Sequence, residues 1–167
     1  IKYKKLEKNG GIAQNTNDAL DMSTGEYICF LDHDDILTPN ALYEMVTAAQ
    51  NNANADLFYS DEDKVSADLK RYSNPHFKPD YNKELLCSYN YLCHFIMIKR
   101  ELMQKAGKVD AKYDGAQDYE YMLRCTELAK TVCHVPKILY HWRISETSTA
   151  GNSGNKEYAF LNGAKAI

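Results

Sequence analysis

The stretch that decides the fold is Tyr27-Ile28-Cys29-Phe30-Leu31, followed directly by Asp32-His33-Asp34-Asp35. A continuous apolar run of this length predicts a central strand that is buried on both faces of a sheet. The acidic residues then lie at the carboxyl end of that strand, where open α/β sheets bind their ligands. The run therefore predicts both a sheet and the edge of the sheet at which a site lies.

Helices alternate with strands on both sides of this run. Upstream, residues 2–6 predict a short strand and residues 12–20 predict a helix. Downstream, Thr38-Pro39 predicts the start of a second helix. The buried stripe of that helix is predicted to comprise Leu42, Met45, Val46 and Ala49. This alternation predicts the α/β class.

The rest of the chain continues the alternation. Residues 56–60 predict a strand that stops at Asp61-Glu62-Asp63, and residues 64–83 predict a loop or small excursion. Further predicted elements are a strand over residues 93–99, a short helix over residues 100–106, a helix from about residue 117 and a strand over residues 138–144. The period of two in the last strand puts His141 and Arg143 on one face.

Composition excludes several classes of protein. A chain of 167 residues fits one domain, and a net charge of -3 offers no basic field for nucleic acid. The longest apolar run is far shorter than the ~20 residues of a membrane-spanning helix. Five cysteines without a Cys-x-x-Cys pair predict reduced thiols in a cytosolic protein. A chain that starts at Ile1, with no signal peptide, predicts a fragment or a processed protein.

The cluster Asp32-His33-Asp34-Asp35 contains three carboxylates within four residues. Their mutual repulsion is costly unless a cation or hydrogen-bond donors compensate it, and Mg²⁺ or Mn²⁺ suits such oxygen ligands. The Asp-x-Asp pattern therefore predicts a divalent-cation site. A solvated acidic turn that caps the following helix is the alternative.

Two known kinds of site, the EF-hand and the phosphatase site of the haloacid dehalogenase type, also use an Asp-x-Asp pattern. An EF-hand counted from Asp32 requires Gly and Glu where Leu37 and Tyr43 stand, so the pattern is not an EF-hand. A haloacid-dehalogenase-like phosphatase would use Asp32 as nucleophile and Asp34 as acid/base, and it usually carries the motif on its first strand. That phosphatase is kept as an alternative function.

Several blocks of sequence occur in an order that is typical of one enzyme family. They are Asn9-Gly10-Gly11-Ile12-Ala13, Asn17, Thr24-Gly25-Glu26-Tyr27-Ile28, Phe30-Leu31-Asp32-His33-Asp34-Asp35, Leu37-Thr38-Pro39, Tyr59-Ser60-Asp61-Glu62-Asp63-Lys64, Phe77-Lys78-Pro79-Asp80, Gly115-Ala116-Gln117-Asp118-Tyr119-Glu120 and Tyr140-His141-Trp142-Arg143. Over residues 1–150 they resemble family 2 glycosyltransferases, in particular the bacterial rhamnosyltransferase-like subgroup of O-antigen and capsule biosynthesis. The resemblance implies the GT-A fold, a three-layer α/β/α unit with a mixed sheet.

Members of that family begin with nucleotide-contacting strands that have no counterpart before Ile1. We therefore expect residues 1–150 to be a partial GT-A domain that lacks these N-terminal strands. We expect the chain alone to be nearly inactive, with an unpaired sheet edge that allows dimerisation. Residues 151–167 are predicted to be a C-terminal tail or the start of a further segment.

The resemblance implies an inverting transfer of a sugar from a nucleoside-diphosphate sugar to a glycan or lipid-linked acceptor hydroxyl. It implies that Asp34 ligates a divalent cation, Mn²⁺ or Mg²⁺, and that Asp32 contacts the donor or the ion. It assigns the catalytic base to Asp118, next to Gln117, where most relatives outside the subgroup have Glu. The protein is then expected in the cytoplasm, with peripheral association with the inner face of the plasma membrane as an option.

The remaining site assignments also follow from the resemblance. His141 is assigned to the metal and Arg143 to the diphosphate, because both share a strand face. Asp61-Glu62-Asp63 is assigned to the donor-sugar or acceptor cleft, with a solvated turn as the alternative. The other histidines, which lack ligand spacing, are assigned no metal: His33, His76, His94 and His134. A truncated domain that only binds sugar or a partner protein is the non-enzymatic alternative.

Overall fold

The computed structural model describes residues 1–144 and 157–167. The helices are α1 (Ile12–Met22), α2 (Ala41–Asn51), α3 (Lys83–Leu86), α4 (Arg100–Ala106), α5 (Gln117–Leu128) and α6 (Glu157–Ala166), with a 3-10 turn at Ala111–Tyr113. The strands are β1 (Tyr27–Cys29), β2 (Ile36–Leu37), β3 (Leu57–Val65), β4 (Tyr72–His76), β5 (Ile96–Lys99) and β6 (Val132–Arg143). The predicted alternation of helices and strands is confirmed.

The strands form one mixed sheet in the order β1-β5-β3-β6-β2, with β4 paired to β3 beside this path. β3 and β6 run parallel, and every other pair is antiparallel. β5 pairs with the first residues of β3 and β4 with its last residues. β3 is therefore the central strand, with neighbours on both sides along its length.

Helices cover both faces of the sheet. Buried side chains of α1, α4 and α5 pack on one face with Leu57 and Tyr59 of β3. α2 packs on the opposite face, against Phe58. Successive side chains of a strand point to opposite faces, which is why β3 contributes to both cores. The three-layer α/β/α arrangement predicted from the sequence is confirmed.

The apolar run at residues 27–31 is not the central strand that its composition predicts. Only Tyr27–Cys29 are extended, and within the described ranges β1 pairs with β5 alone, at one edge of the sheet. Leu31 is 52% exposed. Residues 2–6 form no strand, and the side chains of Lys2 and Lys4 bind the Met22 carbonyl and Asp18 of α1.

The second acidic cluster does not lie where a strand stops. Asp61, Glu62 and Asp63 are buried inside β3, which continues to Val65. The alternative of a solvated turn is therefore wrong for these residues. The segment predicted as a loop after them contains β4, which is antiparallel to β3.

α2 begins at Ala41, two residues after the predicted first helical position. Its buried positions are Ala41, Met45 and Ala49, four residues apart, whereas Leu42 and Val46 are 59% and 47% exposed. Two alanines on this line let the helix approach the sheet closely. The predicted stripe is therefore right at Met45 and Ala49 and wrong at the other two positions.

The predicted domain boundary at residue 150 lies outside the described residues. Beyond that gap, α6 packs on α5 and on the 3-10 turn, and Asn162 Nδ2 donates to the Asp114 carbonyl at 2.9 Å. No helix in the described part of the chain has both the length and the apolar character needed to cross a bilayer.

We expect Met45→Ala to lower the free energy of unfolding by about 2–5 kcal/mol, because Met45 is fully buried between α2 and the sheet. Urea denaturation followed by circular dichroism would measure the loss.

Val46→Ala is the matched control. Its side chain is half exposed, so the free energy of unfolding is expected to change by no more than about 0.5 kcal/mol. Equal losses in the two variants would contradict the packing of α2 described above.

Candidate functional site

A cavity of about 130 Å³ lies between α1, α5 and the ends of β1 and β5. Its polar lining side chains include Thr16, Asp32, Cys93, His94, Gln117 and Asp118, and the rest of its lining is aliphatic or aromatic. Two carboxylates that are far apart in sequence, Asp32 and Asp118, thus meet at one cavity. Both were predicted as site residues from the sequence.

Asp32 lies at the mouth of this cavity, just after β1. The residue is exposed to solvent, yet partial burial of its carboxyl in the cleft raises its pKa. The charge of His94 opposes this rise, and the charges of Asp35, Asp34 and Asp118 reinforce it. The site therefore concentrates negative charge that a cation would relieve.

Asp34 and Asp35 differ in their surroundings. Asp35 is buried and accepts hydrogen bonds from the Tyr140 hydroxyl and, at 2.7 Å, from the Arg143 backbone N–H. These bonds fix the loop between β1 and β2 to β6. Asp34 is half-buried, and the ion pair found for it in the described residues is with His33, 3.8 Å away. Unlike Asp35, Asp34 is therefore accessible to a ligand, as is the exposed Asp32.

Asp118 is the second residue of α5, and its carboxylate is exposed. It accepts hydrogen bonds from Asn90 Nδ2 at 3.2 Å and from Cys93 Sγ at 3.4 Å. Burial raises the pKa of the Cys93 thiol well above its usual value, so the sulfur keeps its proton. The first turn of a helix favours a negative charge. The carboxylate is thus oriented by two neutral donors and remains accessible.

The turn before α5 depends on Gly115. Its φ is +81°, and an added Cβ would lie 2.4 Å from Cε2 of Tyr158 in α6. Its backbone N–H donates to Gln117 Oε1 at 2.7 Å. Glycine suits this positive φ best and leaves room for the Tyr158 ring, so the Gly-Ala-Gln-Asp block helps to set the position of Asp118.

A second cavity, of about 690 Å³, lies on the other side of Asp118, between α5, α6 and the segment after α3. It shares Ile12, Gln117 and Asp118 with the first cavity. Its wall carries the aromatic side chains of Tyr89, Tyr119, Tyr158 and Phe160. Asp118 therefore stands in the wall between two cavities.

The buried carboxylates of β3 bind groups of the protein itself. Asp61 accepts a hydrogen bond from the Lys78 backbone N–H at 2.9 Å and contacts His134 Nε2 at 2.8 Å. Asp63 contacts Nδ1 of His141. Neither carboxylate lines the two cavities described above.

Glu62 lies between them and has the most contacts. Its Oε2 accepts from the His94 backbone N–H at 2.6 Å and from Lys78 Nζ at 3.2 Å, and lies 3.0 Å from His94 Nδ1. Burial acts to raise the pKa of Glu62, but the bond from His94 and the charges of Lys78 and His94 lower it to about 2. Burial acts to lower the pKa of His94, and Glu62 raises it above the usual value nonetheless.

His94 lines the cavity but is not among the site residues predicted from the sequence. Spacing among histidines cannot reveal it, because its partner is Glu62, a carboxylate of β3 that is distant in sequence. The Phe77-Lys78-Pro79-Asp80 block was a signal, since Lys78 holds the same carboxylate.

His141 and Arg143 lie beside the cavity on β6 without lining it. His141 is opposite Ile36 of β2, which places it near the loop that carries Asp34. Arg143 Nε donates to the Ala67 carbonyl at 3.0 Å. In the described part of the chain, no three His, Cys, Asp or Glu side chains are grouped closely enough to hold a metal ion.

Comparison with known proteins identifies the family. The model of "Glycosyl transferase family 2" matches residues 1–107. An uncharacterized protein, y4gI, of Sinorhizobium fredii is 37% identical over 163 residues, which is 96% of this chain and 18% of that protein. The O-antigen biosynthesis protein RfbC of Myxococcus xanthus is 32% identical over 167 residues, 100% of this chain and 13% of that protein. The chain thus spans less than a fifth of either relative.

A solved structure shares the fold. S. aureus TarS 1–349, in complex with UDP-GlcNAc, superposes with a TM-score of 0.72 at 16% sequence identity, covering 96% of this chain and 47% of TarS. At this identity the likeness concerns the fold, which is the GT-A type expected from the sequence. Because the family model covers more than half of the residues, the chain belongs to glycosyl transferase family 2.

Proposed function

We propose that this chain carries catalytic groups of an inverting glycosyltransferase, which moves a sugar from a nucleoside-diphosphate sugar to a hydroxyl of a glycan or lipid-linked acceptor. The observation that carries the proposal is the position of Asp118 between two cavities, one of which also contains Asp32. The TarS complex with UDP-GlcNAc supports a nucleotide-sugar donor. The name of RfbC supports a polysaccharide product. The family match gives no support to the phosphatase alternative.

Asp118 is the proposed general base. The acceptor oxygen attacks the anomeric carbon from the side opposite the diphosphate, and its proton passes to the Asp118 carboxylate. The bond from the anomeric carbon to the diphosphate oxygen breaks, and its electron pair leaves with the diphosphate. A single displacement of this kind inverts the anomeric configuration. Asn90 and Cys93 hold the carboxylate in place during the step.

The larger cavity is the proposed acceptor site. Its volume of about 690 Å³ is typical of small-molecule sites, and it opens onto Asp118. Tyr89 and Tyr158 are each 45% exposed at its wall and offer flat ring faces to a sugar. The donor sugar then occupies the smaller cavity, and Gln117, which lines both, contacts substrate on either side.

Asp32 and Asp34 are the proposed ligands of a divalent cation. Two carboxylates fit this ion, because Mg²⁺ is usually held by one or two carboxylates together with substrate phosphates. His141 stays a proposed further ligand through its Nε2, because Asp63 contacts its Nδ1. It would have to move closer to bind the same ion, since in the described residues it is not grouped with the two carboxylates. When bound, the ion neutralises charge on the departing diphosphate. Arg143 remains a proposed diphosphate contact.

The protein is proposed to act in the cytoplasm, with peripheral association with the membrane where lipid-linked acceptors lie. Dimerisation through β1 stays a prediction, because within the described residues this edge strand has β5 as its only partner.

We expect Asp118→Asn to lower turnover about 10²- to 10⁴-fold while donor affinity stays nearly unchanged, because the amide cannot accept the proton. Release of nucleoside diphosphate from a panel of nucleotide sugars with Mn²⁺ measures turnover, and proton NMR of the product reports anomeric inversion.

The matched control is Asp114→Asn, an exposed residue of the same turn that lines neither cavity. Its turnover should equal that of the wild type. If Asp118→Asn instead abolishes donor binding and leaves turnover per bound donor unchanged, Asp118 is a binding residue. Retention of anomeric configuration would contradict the single displacement.

We expect water-proton relaxation to detect a Mn²⁺ site in the wild-type chain and Asp34→Ala to abolish it, because Asp34 supplies one of the two proposed carboxylate ligands. Asp21→Ala, an exposed carboxylate paired with Lys108, serves as control and should leave the site intact. Unchanged Mn²⁺ affinity in Asp34→Ala would remove Asp34 from the metal site.

A further inference from the structure

We propose that His94 binds a phosphoryl oxygen of the donor diphosphate through its Nε2. The inference rests on the proposed function, because it assumes that the smaller cavity receives the donor. It adds a residue to that site which neither the sequence nor the family match assigns.

The ring of His94 has one fixed orientation at the wall of the smaller cavity. It stacks on Tyr140 with ring centres 5.3 Å apart and planes at 10°, and its centre lies 4.9 Å from that of Trp142. Its side chain is 25% exposed. The imidazole is thus a rigid group that is open to the cavity.

Glu62 determines which ring nitrogen faces a ligand. An ionised carboxylate only accepts hydrogen bonds, so Nδ1, 3.0 Å from Oε2, carries a proton. Among residues 1–144 and 157–167, the hydrogen bonds of His94 involve its backbone N–H and Nδ1. Nε2 is therefore the nitrogen left for a ligand.

Lys78 fixes Glu62 in turn. Its side chain is fully buried, and Nζ donates to Glu62 Oε2 at 3.2 Å, to the Leu92 carbonyl at 3.2 Å and to the Cys93 carbonyl at 2.5 Å. Because these carbonyls precede His94 directly, Lys78 holds both the carboxylate and the segment that carries the imidazole. The three side chains form one rigid unit that ends at the cavity.

The charge of the cavity explains why such a unit is needed. Asp32 and Asp118 repel a diphosphate, and among the residues that the structure describes His94 is the one basic residue in the cavity lining. The raised pKa of His94 favours the form in which Nε2 also carries a proton. A fixed donor aimed at the leaving group gains strength as charge develops on the diphosphate oxygen. His94 keeps its proton throughout and contributes a charge-assisted hydrogen bond.

The test compares binding of inorganic pyrophosphate, with Mg²⁺ present, to the wild-type chain and to His94→Gln by calorimetry. Loss of one hydrogen bond to a charged group should weaken binding about tenfold to a hundredfold. His76→Gln is the matched control, because His76 also contacts Glu62, at 3.7 Å, but does not line the cavity. Its affinity for pyrophosphate should equal that of the wild type.

A measurement on the wild type tests the same contact without a variant, whose loss of binding could also come from misfolding. The ¹⁵N resonance of His94 Nε2 should shift on addition of pyrophosphate, and that of His76 should not. Glu62→Gln, which removes the negative charge beside Nδ1, should also weaken pyrophosphate binding.

Each failure has its own meaning. If the wild type binds pyrophosphate and His94→Gln binds it equally well, the inference is overturned and the proposed function stands. If His94→Gln weakens binding of a nucleotide sugar but not of pyrophosphate, His94 contacts the sugar, which also overturns it. If the wild type binds neither pyrophosphate nor any nucleotide sugar, the proposed function fails with it.

Discussion

The buried carboxylate of Glu62 is the contact on which the rest of the site depends. It joins β3 to Lys78, beyond β4, and to His94, ahead of β5. Removal of one partner from such a group leaves an uncompensated buried charge, which typically costs about 3–5 kcal/mol. The segment before β5 also carries Cys93, which binds Asp118, so this one carboxylate links the central strand to the proposed base.

β3 shows how a central strand can carry three adjacent carboxylates. Its parallel partner β6 brings His134 to Asp61 and His141 to Asp63, while Glu62 receives Lys78 and His94. Buried polar groups are tolerated when each one is hydrogen-bonded. The strand is therefore stable in the interior, and its carboxylates hold three histidines in set orientations at one end of the sheet.

The sequence predicted the helices better than the strands. α4 and the start of α5 follow directly from local periodicity, because a helix satisfies its own backbone. Whether β1 or β3 lies at the centre of the sheet depends on strands that are distant in sequence. Apolarity favoured residues 27–31 as the centre, whereas histidines and Lys78 from other segments allow the charged residues 61–63 to occupy it. His94 escaped prediction for the same reason, because only the fold brings Glu62 to it.

Asp118 illustrates the opposite case, in which a local motif determines a site residue almost completely. Gly115 turns the chain, Gln117 Oε1 accepts the Gly115 N–H, and α5 begins at Gln117, so the exposed Asp118 lies in its first turn. A Glu in place of Gln117 could accept the same bond, but its charge would lie beside Asp118 and repel the carboxylate. The neutral amide closes the turn without that repulsion. With a neutral Gln117, no second negative charge lies directly beside Asp118, the carboxylate that accepts the proton in the proposed reaction.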